Sequence, residues 1–204
     1  MLLPFSDRSK DWERHGSALR KKAGVSDAKR LDPWKLAPKF GLTVVDGWEA
    51  VSWSNENDRH QLIVKDKYGW SGGILPRALP DGSFLCILNP THSARRNKIT
   101  LMEEIAHAHL GHKPSGLICI SDGLQVRDYN KAQEHEAYGV GAAALIPWVT
   151  LFPALNAGRS INELAETFEV TPDLIQYRIK ITGEFRIYQA RQRRMGTIRM
   201  APKA

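Results

Sequence analysis

Cysteine is scarce: Cys86 and Cys119 are the only two in 204 residues. Each lies inside an apolar run, which excludes a disulfide framework and favours buried free thiols in a reducing compartment. No apolar stretch approaches the length of a membrane span. The opening MLLPFSDRSKDWER has no basic region ahead of its few apolar residues, so a secretory signal is not expected. A cytoplasmic location without a membrane partner is therefore the expectation. Phosphate loops, Cys-x-x-Cys pairs, internal repeats and low-complexity segments are also missing. Gly69-Trp70-Ser71-Gly72-Gly73 spells the Gly-x-Ser-x-Gly nucleophile elbow, but that motif needs a helix straight after the serine. Here Pro76 and Pro80 follow, and Ser71 reads as part of a glycine-rich turn.

What is present is an ordinary globular composition, 42% hydrophobic and 25% charged, with a formal net charge of +7. The length suits one domain, or one domain with a small appendage. From Gln176 to Ala204 there are eight Lys or Arg against Glu184 alone, while the 21 basic residues before them balance 21 acidic ones. All the excess charge is in this basic tail, which suits either contact with DNA or an acidic partner, or a solvated terminus.

The pattern Trp12, Gly16, Leu19, Arg20 predicts a first helix over Asp11 to Lys22, with Gly24 as its stop. A short second helix follows in LDPWKLAPKFG, with Pro33 early and Gly41 at its end. LTVVD, EAVSW, RHQLIVKD, YGWSGGIL and SFLCILN are rich in β-branched and aromatic residues and are separated by Asp46-Gly47, Asp81-Gly82 and similar turns. They predict a small, mainly antiparallel sheet between about Leu42 and Asn89. A helix from Ile99 to His112 and a longer one from about Tyr129 to Leu145 come next, the latter stopping before Pro147. The small residues of AYGVGAAAL are expected to let this second helix lie close against the first. Ser160 with Glu163 has capping-box spacing, and Thr171-Pro172 opens another helix, which together suggest a helix-turn-helix. Its core is expected from Ala165, Phe168, Val170 and Ile175, and its exposed polar residues from Gln176, Arg178 and Lys180. The fold class is α+β, with a boundary at Asn156-Ala157-Gly158 that separates 1–156 from a helix-turn-helix-like unit and basic tail at 157–204.

The most informative stretch is LMEEIAHAHLGH, Leu101 to His112. It has the frame of the His-Glu-x-x-His helix, in which two imidazoles one turn apart hold a metal and the intervening Glu is the general base. In this chain the first imidazole is replaced by Glu103. At about 100° per residue, Glu103 and His107 face the same way within roughly 40° and can grip one ion. Glu104 is beside them, within reach of a water. His109 and His112, carried on the same rotation, fall far around the helix and read as packing or hydrogen-bonding residues. A third ligand must come from another element, and KAQEHEAYGVGAAALIP offers Glu134 and Glu136.

The pairing of LMEEIAHAHLGH with EHEAYGVGAAALIP, followed by LAETFEVTPDLIQYRI, resembles the ImmA/IrrE metallopeptidase family over roughly Leu19 to Thr182. The resemblance implies a zincin-like domain in which Glu104 is the catalytic base, His107 the second histidine ligand and Glu134 the third ligand. Glu103 occupies the place of the first histidine, and Tyr138 stands where an Asn or Asp is commoner. It also implies a divalent metal, most simply zinc, and a repressor-type protein as substrate, while the two carboxylates make manganese possible. Glu103, His107 and Glu134 around a divalent ion sum to zero formal charge, against +1 for two histidines and one Glu. A less positive site acidifies water less, so slower hydrolysis or a shift toward manganese is expected. The alternative reading is a weak or inactive member that regulates by binding protein or DNA through its C-terminal unit.

Three further expectations are weaker in chemistry. SFLCILN could serve as a sheet edge that pairs with an extended peptide. Arg95-Arg96 reads as solvated. Tyr129 and His135 are candidate donors to a developing oxyanion, with packing as the simpler role.

Overall fold

In the computed structural model the described residues are 6–112, 117–120, 124–127, 130–184, 188–190 and 193. By packing, the chain divides into two units, one formed by Asp32–Gly141 and the other by Met1–Leu31 with Ala142–Ala204. The boundary expected near residue 156 falls inside the second of these. Tyr129, the turn at 121–123 and most of the basic tail lie outside the described residues. Among those described, no single helix is long and apolar enough to cross a membrane.

The unit Asp32–Gly141 begins with α2 (Pro33–Leu36) and a 3-10 turn (Ala37–Phe40), closed by Gly41 in the left-handed conformation. A three-stranded sheet follows in the order β1 (Leu42–Val45), β3 (Phe84–Leu88), β2 (Gly72–Ala78). β1 runs parallel to β3 and β2 antiparallel to it. The sheet is therefore mixed, where a mainly antiparallel one was expected. Between Ile74 and Ala78 the β2 register slips, and Pro76, which has no N–H to donate, is tolerated there because β2 is an edge. β4 (Leu117–Ile120) and β5 (Leu124–Arg127) form a separate antiparallel pair.

Two segments expected as strands are helical. EAVSW belongs to α3 (Gly47–Ser52), and RHQLIVKD to α4 (Glu56–His60) with a wide turn at Gln61–Lys65. Asp46 does not turn a hairpin; its Oδ1 accepts from the N–H groups of Trp48 and Glu49, which caps α3. A Cβ on Gly47 would come within 2.2 Å of the Leu88 carbonyl oxygen, so the position requires glycine for lack of space.

Helix α5 (Ala94–Leu110) starts at Ser93, whose hydroxyl accepts from Arg96 N–H, and ends at Gly111 with φ 68°. Leu101, Met102, Ile105 and Ala106 are wholly buried. Each of the three larger side chains contributes about 1.5–3 kcal/mol by leaving water. Helix α6 (Lys131–Leu145) is capped by Asn130, whose Oδ1 accepts from Ala132 and Gln133 N–H. Gly141 on α6 meets the α5 backbone, since a Cβ there would stand 3.2 Å from the Met102 oxygen. The small-residue stripe does bring these two helices together as expected.

In the other unit, α1 (Asp7–Ala23) buries Trp12, Gly16, Leu19 and Arg20 along one stripe. Gly16 faces the α6 backbone, where a Cβ would approach Ala144 N to 2.8 Å. The Arg20 guanidinium donates to the carbonyls of Ala144 and Ser26 and pairs with Asp27 at 3.3 Å. Burial lowers its pKa, and Asp27 opposes that shift. Helices α7 (Trp148–Asn156), α8 (Ile161–Phe168) and α9 (Pro172–Ile181) belong to the same unit. Ser160 and Glu163 form the reciprocal capping box, and Ala165, Phe168, Val170 and Ile175 are all buried. Arg178 is not the exposed residue expected. It is fully buried, donates to the Ile146 carbonyl and pairs with Glu13, which leaves Gln176 and Lys180 exposed on α9.

Candidate metal centre

Helical periodicity places Glu103 and His107 one turn apart on α5, on a partly exposed strip beside the buried face. The cap at Asn130 starts α6 so that Glu134 falls in its first turn, where the helix dipole favours a carboxylate. His107 Nε2 and Glu134 Oε2 are 3.5 Å apart, with the two side chains 17% and 19% exposed. Glu103, His107 and Glu134 each present one ligand atom, and all three atoms lie within 4.8 Å of one another.

That set fits a divalent cation. Four-coordinate zinc at ligand distances of about 2.0–2.2 Å separates its donors by roughly 3.4 Å, so small side-chain rotations suffice to close the group. Two carboxylates and one imidazole are also within the ligand range of manganese.

Glu104 is 8% exposed and lies on the sheet side of α5. Its charge is felt at Cys86 on β3, whose thiol is pushed up to about 12, first by burial and then by the Glu104 carboxylate. Glu136, the alternative third ligand, is outside the Glu-His-Glu group. It approaches His112 instead, with Oε2 3.3 Å from Nε2. His112 Nδ1 in turn lies 3.0 Å from His107 Nδ1.

His112 has the hydrogen-bonding role expected of it, but it reaches His107 by a chain reversal and not by helical rotation. Gly111 is left-handed and reverses the chain, and His112 N–H turns back to the His107 carbonyl at 3.1 Å. The imidazole therefore lands against its neighbour one turn earlier. The glycine was the available signal. His109 packs its ring edge-on against Phe40, with centroids 6.0 Å apart. His135 is exposed on α6. Arg96 is exposed and donates to the Ser71 hydroxyl at 3.3 Å, and a strand follows Ser71, which removes the elbow geometry. Since β3 is the central strand, flanked by β1 and β2, SFLCILN cannot receive a peptide along its edge.

The sequence model of the IrrE N-terminal-like domain, peptidase family M78, matches residues 74–180. The chain belongs to this family. No curated protein and no solved structure matches it significantly. The matched span of the IrrE-like domain contains Glu103, Glu104, His107 and Glu134, as well as His112 and Glu136. Membership makes the chain a metallopeptidase-like domain and calls for a divalent metal, which the Glu-His-Glu group could hold.

Proposed function

We propose that this IrrE-like protein is a metal-dependent endopeptidase acting in the cytoplasm on a repressor-type regulatory protein. Glu103, His107 and Glu134 are the ligands in this reading and Glu104 is the general base. The observation that carries it is the convergence of the three ligand atoms within 4.8 Å from two separate helices, in a chain of a peptidase family. When bound, a divalent cation supplies Lewis acidity toward a peptide carbonyl and makes water easier to deprotonate.

The residues do the rest. A Glu104 carboxylate oxygen takes the proton from the attacking water and returns it to the leaving amide nitrogen. Its burial keeps this transfer shielded from bulk water. In the three-stranded sheet an extended substrate has the outer edges of β1 and β2 to pair with, because β3 is occupied on both sides. Glu103 in place of an imidazole supports zinc with reduced power, or manganese.

DNA binding through the C-terminal unit is the rival reading. The burial of Arg178 removes one of the three polar side chains it would use on α9. The deciding experiment is cleavage of a cognate repressor by the parent protein and by Glu104→Gln. Loss of cleavage with metal binding retained supports the mechanism, and unchanged cleavage rejects it.

A further inference from the structure

Beyond the three ligands, a chain of contacts runs inward from a partly exposed carboxylate. Glu136 Oε2 is 3.3 Å from His112 Nε2, and His112 Nδ1 is 3.0 Å from His107 Nδ1. His107 Nε2 then faces Glu134 Oε2 at 3.5 Å. The His112 side chain is only 9% exposed, and the two imidazoles meet edge to face at 68°.

Two ionised carboxylates, which only accept, compete to set the proton positions along this chain, Glu136 at 3.3 Å from His112 Nε2 and Glu134 at the longer 3.5 Å from His107 Nε2. The shorter contact prevails in our reading, and Glu136 then selects the neutral His112 tautomer with the proton on Nε2. This leaves a lone pair on His112 Nδ1, which can only accept, so the proton between the rings belongs to His107 Nδ1. His107 Nε2 then presents a lone pair, not an N–H, on the side of the Glu134 carboxylate. Two acceptors facing each other repel, and a cation between them turns the repulsion into binding.

We propose that Glu136 and His112 are positioning residues that lock His107 in the Nδ1–H tautomer and so hold its Nε2 ready for a metal ion. The proposal rests on the metal site described above and adds the residues that make it selective for one state of its single imidazole. Outer partners of this kind orient the ring and raise its basicity. The demand is unusually heavy here, because Glu103 leaves only one nitrogen ligand in the set.

The test uses the full-length, metal-stripped protein and zinc as the probe. Long-range 15N NMR of the histidine rings reads the tautomer, and chelator competition reads zinc affinity. His107 should carry its proton on Nδ1 in the parent protein. His112→Ala should lower zinc affinity by about 10–100-fold and release His107 into a mixture of tautomers. His112→Asn, whose Oδ1 can stand in for the ring Nδ1 as acceptor, should restore most of the affinity. Because Glu136 is 42% exposed, Glu136→Ala should fold normally, and it should shift both readouts in the same direction as His112→Ala.

Zinc affinity within twofold of the parent in both alanine variants, or a His107 found as Nε2–H, overturns the relay. Glu134→Ala separates this from the site itself. If it loses zinc while His112→Ala and Glu136→Ala do not, the site stands and the relay falls. If it binds zinc as the parent does, the site falls and the relay with it.

Discussion

Glu13 on α1 and Arg178 on α9 form an ion pair across 165 positions of sequence, with the guanidinium wholly buried and the carboxylate 10% exposed. The same guanidinium donates to the Ile146 carbonyl. A charge so placed depends on its partner, since burial removes the water that would otherwise stabilise it. Glu13→Ala is expected to cost about 3–5 kcal/mol of stability, as measured by urea denaturation. Replacing both residues with apolar ones of similar volume should cost much less.

The Cys86 thiol gives a pH-dependent prediction. Its folded pKa of about 12 is raised from an ordinary 9.0, so the folded state keeps a proton that the unfolded state loses. The corresponding stability is fully present below pH 9 and is lost as pH rises from there toward 12. In a Cys119→Ser background, iodoacetamide at pH 8.5 should modify Cys86 only as fast as the protein unfolds. Labelling at the rate of a free thiol would contradict the burial.

Gly47 provides a packing test. A methyl group there collides with the Leu88 carbonyl, a backbone atom with little freedom to move. Gly47→Ala should therefore destabilise by about 1–3 kcal/mol, seen as a lower thermal midpoint. The same change at Gly24, which has no neighbour within 4 Å but a φ of 74°, would instead report backbone strain.

The Glu103 substitution can be reversed. Glu103→His restores a net +1 site, so zinc affinity and hydrolysis should both rise, by roughly tenfold if the change is comparable to a ligand-shell perturbation. Steady-state cleavage and chelator competition would read the two effects. A fall in affinity would show that the site is built around the carboxylate.

Much of this architecture was legible from residue order. Gly24 and Gly41 end helices, Ser160 with Glu163 starts one, and the small residues of α6, Gly141 among them, mark where it approaches α5. Two segments that composition assigns to strands are helical for identifiable reasons. Asp46-Gly47 can turn a hairpin or cap a helix, and it is the Asp46 carboxylate accepting from Trp48 and Glu49 N–H that makes it a cap. Val64 and Trp53 suggest strands by composition, yet they are 53% and 58% exposed. At the site, one-turn spacing was enough to pair Glu103 with His107. The choice between Glu134 and Glu136 was not, because it depends on where α6 begins relative to α5. The hydrogen-bonding role of His112 is legible too, but not its partner, because left-handed Gly111 ends the rotation that spacing assumes.

The most direct measurement is calorimetric titration of the metal-stripped protein with zinc and with manganese, alongside His107→Ala and Glu134→Ala. One ion bound per parent chain, with binding lost in both variants, is the expected result. No binding in the parent, or binding that survives both substitutions, would contradict a cation held by Glu103, His107 and Glu134.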